Sequence, residues 1–215
     1  MRTFRQQSIE AEIMPYSDFD LRKVKQELGV HLVEQEGVFA QAKDAEVSPA
    51  FAEILAETVP LARAINTEKA RSELIIANVL VELRRQLHHR ISLFSGIEFN
   101  VDKGRGLSGY CDFMISASRE QLILTRPIIA VVEAKNENLI AGLGQCIAEM
   151  VAARLFNAEE RNPITTLYGV VTTGTAWKFM RMENDETVID LDEYSIDSPR
   201  KILGILLEMA APWVA

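Results

Sequence analysis

The sequence predicts an α/β fold in which a central mixed β-sheet is flanked by helices. Strand-like and helical runs follow one another in the order helix, three strands, helix, strands. A helix between strands 127–134 and 167–172 permits a parallel crossover, whereas short turns between strands favour antiparallel pairing. With 215 residues, 48% of them hydrophobic, the chain can bury one substantial core. We therefore expect an α-β-β-β-α-β core over residues 67–215, with residues 1–66 packed on it as a mainly helical extension.

Two helices are predicted in the extension, over residues 17–28 and 48–64. Ser48 suits the N-cap position of the second helix, and Pro49 suits its first helical position because the missing N–H is not needed there. Pro60 falls inside this helix, where a proline kinks or shortens it.

The core begins with a helix that Thr67 caps and whose body, LIIANVLVEL, is apolar enough to be buried. Branched and aromatic residues then mark three strands, and apolar positions at helical spacing mark the next helix. A terminal helix has an apolar tail that suits either the core or an interface. The predicted ranges are strands 97–101, 110–117 and 127–134, helix 139–156, strands 167–172 and 177–182, and helix 199–209.

The net charge of −8, from 23 basic and 31 acidic residues, opposes broad electrostatic binding to a phosphate backbone. A locally basic strip can still meet nucleic acid, although such clusters are also typical of solvated helix ends. The candidates are Arg84, Arg85, His88, His89, Arg90 and the turn 103–105.

Cysteine usage and hydropathy predict a cytoplasmic protein. Cys111 and Cys146 lie in apolar segments and form no C-x-x-C pair, so we expect buried, reduced thiols rather than a disulfide or a zinc site. The sequence contains no run of about 18 apolar residues, the length that a membrane span requires. The first 14 residues lack the apolar stretch of a signal peptide.

Charged residues end one of the apolar strands, in the segment PIIAVVEAKNEN. Glu133 and Lys135 alternate along that strand and project from the same face, roughly 6.6 Å apart. If strand 110–117 pairs beside it, Asp112 stands next to Glu133, and the two carboxylates form the oxygen site that Mg²⁺ prefers. Lys135 would orient or help to deprotonate a water, with its pKa lowered by the neighbouring cation, or would stabilise negative charge.

These residues resemble the PD-(D/E)XK restriction-endonuclease-like superfamily, and the resemblance spans about residues 68–182. It implies a metal-dependent nuclease that hydrolyses phosphodiester bonds in nucleic acid, with DNA as the favoured substrate, and it is compatible with a homodimer. It also implies that Asp112 and Glu133 bind Mg²⁺ or Mn²⁺ and that Lys135 serves the water. Three further positions match the superfamily. They are Ala134, whose backbone carbonyl would bind the metal ion, Glu73 from the first core helix, and Gln145 from the helix after the site.

The segment YGVVTTGTAWKFMRM further resembles the nuclease domain of type I restriction motor subunits. Thr173, Gly174, Trp177 and Lys178 carry this likeness. The chain lacks the proline that precedes the aspartate in the superfamily motif, and it lacks the helicase motor of those subunits. The biological setting therefore stays open.

Other interpretations remain open beside the nuclease. A nuclease-like fold can be catalytically silent and bind a protein partner or assembly subunit, which suits the acidic charge, and an acidic metal-binding domain with another substrate is a third hypothesis. Glu73 is either a ligand or an exposed helix residue. Gln145 shares a helical face with Glu149, which is typical of a water-facing stripe as well as of a site. Tyr110 either contacts substrate or packs on the sheet.

The sequence GRGLSG at residues 104–109 matches G-x-G-x-x-G, but a strand follows it where a dinucleotide site requires a helix. We therefore predict a hairpin turn there.

Overall fold

A computed structural model describes residues 15–159 and 164–213 of the chain. A single mixed sheet of eight strands forms its centre, with the order β1-β7-β6-β5-β4-β3-β2 and with β8 paired to β6. The predicted lack of a signal peptide concerns residues that lie outside the described part. The strands are β1 (His31–Gln35), β2 (Ser92–Glu98), β3 (Tyr110–Ser116), β4 (Ile128–Ala134), β5 (Thr166–Thr172), β6 (Ala176–Glu183), β7 (Glu186–Asp190) and β8 (Tyr194–Ser195).

Helices cover both faces of this sheet, which confirms the predicted α/β class. They are α1 (Leu21–Glu27), α2 (Pro49–Ile65), α3 (Glu68–Arg71), α4 (Ala77–Gln86), α5 (Leu139–Asn157) and α6 (Pro199–Ala210), and a π-helical turn (Ser72–Ile76) joins α3 to α4 in one continuous run.

The parallel crossover predicted after the charged strand is present. Strands β4 and β5 pair in parallel, and α5 connects them and packs on both. The pairs β2–β3, β3–β4, β5–β6 and β6–β7 are antiparallel. The G-x-G-x-x-G segment lies in the β2–β3 connection, where Lys103–Arg105 forms a short 3-10 turn. It is therefore a hairpin turn, as the sequence predicts.

Helix α5 is buried on nearly all sides. It packs between the sheet and the segment that contains α1, and an added Cβ at Gly144 would stand only 2.4 Å from the backbone of Asp20. Within the described residues α5 alone is long and apolar enough to cross a bilayer, and 67% of its most apolar window is buried. That burial is what a core helix requires. Cys111 and Cys146, both free and buried, line the same core.

The helical run from α3 to α4 lies on the opposite face. The hydroxyl of Thr67 accepts a hydrogen bond from the Ala70 N–H at 3.2 Å, as expected of an N-cap. Ile75, Ile76 and Val79 are fully buried, so this apolar helix packs in the core as predicted. Helix α6 packs there too, which assigns the apolar tail at residues 202–210 to the core.

The N-terminal extension differs from the prediction. Its two helices are present, and Pro60 lies within α2 without ending it. However, residues 31–35 form β1, which pairs in parallel with β7 and supplies one edge of the sheet. The extension is thus partly an element of the sheet, because backbone hydrogen bonds to β7 make an exposed, polar stretch into a strand.

Strand β2 begins five residues earlier than predicted. Gly96 has a φ of 60° and is the one position of β2 that does not pair with β3, although the register is the same on both sides of it. A glycine inside a strand weakens the sequence signal for that strand.

Candidate active site

The candidate site lies where β3 and β4 diverge. Their backbone pairing ends at Phe113 and Val132, and continuing that register would set Asp112 opposite Glu133. In place of a backbone partner, the Ala134 N–H donates to Asp112 Oδ2 at 2.8 Å. On its other side β4 stays paired with β5 as far as Ala134. The divergence opens the sheet on the β3 side only and brings Asp112 to the end of the charged strand.

An open cleft of about 270 Å³ lies at this divergence. Asp112 and Ala134 form its sheet side, and the start of the helical run forms its other side. Its lining residues are Glu68, Lys69, Ser72, Glu73, Ser95, Asp112 and Ala134. Three of the four predicted ligands, Asp112, Ala134 and Glu73, therefore border a space that solvent or a substrate can enter.

Glu133 is almost completely buried, with 2% of its surface exposed. Its Oε1 accepts a hydrogen bond from Lys135 Nζ at 2.5 Å. Burial, and then the charge of Asp112, outweigh this ion pair and raise the pKa of Glu133 to about 7. Its Oε2 has no donor among the described residues other than the facing carboxyl of Glu149. A buried carboxylate oxygen with no amide or hydroxyl donor is costly, so it suits a position that a shared proton or a cation completes.

Lys135 is held from two sides. Its Nζ donates to Glu133 Oε1 and, at 3.0 Å, to Gln145 Oε1. Partial burial acts to lower the pKa of Lys135, but the charge and hydrogen bond of Glu133, followed by the charges of Glu68 and Asp112, raise it above its ordinary value. In this arrangement the side chain is an ammonium that donates hydrogen bonds. The lowering expected from a neighbouring cation stays a prediction.

Gln145 and Glu149 extend the site into α5. Gln145 Nε2 donates to Glu149 Oε1 at 3.2 Å, and Glu149 is 0% exposed. The water-facing stripe considered for this helix face is therefore wrong, because this side of α5 packs on the sheet, where Gln145 contacts Lys135 and Glu149 faces Glu133. Burial, and then the charge of Glu133, hold the pKa of Glu149 well above its ordinary value. The carboxyls of Glu133 and Glu149 face each other within hydrogen-bonding reach.

Glu73 borders the cleft but does not join the buried group. It lies in the π-helical turn, its side chain is 60% exposed, and it pairs with Lys69 at 2.8 Å. Glu68 lines the same cleft, and its charge acts on Lys135. The helical run thus offers two carboxylates. The sequence alone does not indicate Glu68 as a site residue, because the helix dipole already accounts for a glutamate in the first turn.

Tyr110 is 67% exposed, two residues before Asp112 on β3. The packing interpretation of this tyrosine is therefore wrong, since its ring is left largely in solvent at the border of the site.

A second cleft, of about 490 Å³, lies beyond the end of β4. Arg71 reaches across it to donate to the carbonyl of Thr173 and the hydroxyl of Thr175, at 3.2 and 3.3 Å. The lining residues are Arg71, Asn136, Glu137, Asn138, Leu139, Ile140, Thr173, Thr175, Ala176 and Glu193. Residues from the β5–β6 turn therefore border a cleft, while Trp177 and Lys178 of the same segment are buried.

The basic strip at residues 84–90 does not border the site. The strip ends just before Ser92, which pairs with Ser116 of β3. Asp112 and Ser116 are four residues apart on β3, a distance of roughly 13 Å. Arg85 pairs with Glu82 at 2.6 Å, and Arg84 donates to the Ile91 carbonyl at 3.2 Å. These arginines thus have structural partners at the opposite end of the strand.

The residues present fit a divalent cation of the Mg²⁺ kind. Among the described residues no three or more His, Cys, Asp or Glu side chains are grouped as a metal site. Mg²⁺ does not need such a group, since it usually binds one or two carboxylates and keeps several waters. Asp112 Oδ1 has no hydrogen-bond partner within residues 15–159 and 164–213, and Glu133 Oε2 has none there apart from the facing carboxyl of Glu149. They form the oxygen pair that such an ion requires.

No protein-family model matches the chain, and a search of curated proteins finds no match. Any functional conclusion therefore depends on the geometry of these side chains.

Proposed function

We propose that the protein is a divalent-cation-dependent nuclease that hydrolyses phosphodiester bonds in nucleic acid, with DNA as the substrate we favour. One observation carries the proposal: Asp112, Glu133 and Lys135 converge where β3 and β4 part, at an open cleft that Asp112 and Ala134 line. Glu133 also keeps one buried oxygen whose sole possible donor among the described residues is the facing carboxyl of Glu149.

Asp112 and Glu133 would hold Mg²⁺ or Mn²⁺ through their free oxygens, with the Ala134 carbonyl as a third ligand by the resemblance. When bound, the ion supplies Lewis-acid charge for the phosphoryl oxygens and makes its bound water more acidic. The Lys135 ammonium then donates hydrogen bonds at the reacting phosphate or orients the attacking water. Gln145 fixes that ammonium, because its Oε1 accepts from Nζ.

Net charge and the state of the cysteines bear on how the protein binds its substrate and on where it is located. A net charge of −8 disfavours wrapping of a long duplex, so we expect binding through the local cleft. We propose a cytoplasmic location, in keeping with two buried free cysteines. Cleavage of both strands by one centre per chain would use two copies, hence a homodimer.

A catalytically silent module is the second candidate function. It is favoured by the same acidic charge and by the closed pair between Lys135 and Glu133. Such a module would bind a protein subunit rather than nucleic acid.

Cleavage of plasmid and of single-stranded DNA, with Mg²⁺ or Mn²⁺, tests the proposal. Asp112→Asn and Lys135→Ala should each lower the rate by about 10²–10⁴-fold, the range for loss of a catalytic proton-transfer or charge-stabilising group. The matched controls Asp44→Asn and Lys43→Ala change exposed residues outside the cleft and should cleave like the wild type.

Equal cleavage by the wild type and both site variants would mean a contaminating nuclease. An inactive wild type on all substrates would favour the silent module.

A further inference from the structure

We propose that Glu149 is a positioning residue of this site, which acts through Gln145 to fix the ammonium of Lys135. The inference rests on the proposed function, since it assigns a task to Lys135 in that reaction.

A continuous set of hydrogen bonds links the three side chains. Lys135 Nζ donates to Gln145 Oε1 at 3.0 Å, and Gln145 Nε2 donates to Glu149 Oε1 at 3.2 Å. Gln145 and Glu149 stand four residues apart on α5, so the helix places them on one face. Glu149 therefore reaches Lys135 through one intervening amide.

The chemistry of the two neighbours dictates how the Gln145 amide is turned. An ammonium only donates, so the amide must present its oxygen to Lys135, whereas Glu149 Oε1 accepts and so takes the amide nitrogen. Without an acceptor at position 149, the amide would lose the hydrogen bond at Nε2 and could move away from the ammonium. Such a movement would remove one of the two partners that hold Nζ.

Packing alone does not account for a carboxyl at this position. Among the buried residues of α5, Glu149 is the only carboxylate, and its neighbours Ala148 and Met150 are also 0% exposed. An apolar residue of similar volume would avoid the cost of burying this group. Its Oε2 faces Glu133 and has no other partner among the described residues. Glu149 thus contacts both residues that hold Lys135.

The test compares Glu149→Gln with Glu149→Leu. Glutamine keeps an acceptor for Gln145, whereas leucine keeps the volume and removes the acceptor. Met150→Leu is the matched control, because it is a volume-conserving change of the adjacent buried residue. Thermal unfolding identifies any variant that fails to fold.

Two readouts are measured on each variant. The first is hydrogen exchange of the Gln145 side-chain amide by NMR, with its signal assigned from its loss in Gln145→Leu. The second is kcat and KM for DNA cleavage. We expect slow exchange in the wild type, Glu149→Gln and Met150→Leu, and fast exchange in Glu149→Leu. We expect kcat to fall about 10- to 100-fold in Glu149→Leu at little-changed KM, the range for loss of a group that orients another, and to be largely retained in Glu149→Gln.

A folded Glu149→Leu variant with a protected Gln145 amide overturns the inference. Equal losses of kcat in the glutamine, leucine and Met150 variants overturn it too, since they would mean general sensitivity of the core. If the wild type cleaves nothing, the proposed function fails on its own, and the amide readout still decides whether Glu149 orients Gln145.

Discussion

Two buried polar clusters in the same sheet differ in how completely their atoms are paired. Around Lys178, Nζ donates to the carbonyls of residues 190, 191 and 192 at 3.1, 2.8 and 3.3 Å. Asp190 accepts from Phe39 N and the Tyr194 hydroxyl through Oδ2, and from Asp192 N through Oδ1. Around Glu133 and Glu149, by contrast, one oxygen of each carboxyl has no donor among the described residues except the facing carboxyl.

The difference separates a structural cluster from the cluster that we propose to be functional. A buried charge whose hydrogen bonds are all made stabilises one arrangement of the chain, and the Lys178 cluster fixes the loop after β7 in this way. A buried carboxylate that lacks a donor beside an open cleft lowers stability until a ligand arrives. Lys178 carries part of the sequence likeness to restriction subunits, yet its contacts are those of a structural residue.

The largest effect on stability is expected from Lys178→Met. The change removes the donor from one buried carbonyl, at residue 190, and from two partly buried carbonyls, at residues 191 and 192. Because an unsatisfied group costs about 1–3 kcal/mol when buried and less when partly exposed, the free energy of unfolding should fall by about 4 kcal/mol. Urea unfolding measures this loss. Stabilisation by Mg²⁺ or Mn²⁺ should persist in the variant, and its disappearance would mean that the two clusters are not independent.

The next largest effect is the change of the free energy of unfolding with pH, in protein kept metal-free with EDTA. The pKa of Glu133 is raised from an ordinary 4.5 to about 7, so the folded state binds this proton more tightly than the unfolded chain. Its contribution to stability is complete below pH 4.5 and is lost as the pH rises through 7, by about 3 kcal/mol. Denaturant unfolding at pH values from about 4 to about 8 measures the loss. Glu133→Gln should flatten this dependence, and an unchanged slope in that variant would contradict the assignment.

The smallest effect is the one that a cation produces. At about 100 times its Kd, Mg²⁺ or Mn²⁺ should raise the free energy of unfolding by about 2.7 kcal/mol, and EDTA should reverse the change. Glu133→Gln should abolish the rise, whereas Asp44→Asn, on the exposed surface, should keep it. A wild type that gains nothing from either cation would favour the silent module.

Most of the fold could be predicted because its elements have a local signature. Strands β3 to β6 and helices α2, α5 and α6 follow from hydrophobic periodicity and from residues that cap helices. Strand β1 could not be predicted in this way, since four of its five residues are exposed and only its pairing with β7 makes it a strand.

The candidate site likewise has one part that the sequence predicts and another part that it does not. Alternation along β4 put Glu133 and Lys135 on one face, and the order of strands put Asp112 beside them. The role of Glu149 was not visible, because a glutamate one turn after Gln145 is as typical of a solvated stripe as of a buried site. Its burial depends on the side of α5 that packs on the sheet, where Glu149 faces Glu133, and the spacing along the helix does not reveal which side that is.

The sequence by itself determined the α/β class, the order of the core elements and the strand that ends in Glu133 and Lys135. Each of these follows from the spacing of neighbouring residues. The tertiary structure decided which polar groups are buried and which of them find partners. Burial and pairing depend on segments far apart in the chain, so the contrast between the Lys178 cluster and the Glu133 cluster exists only in the folded molecule.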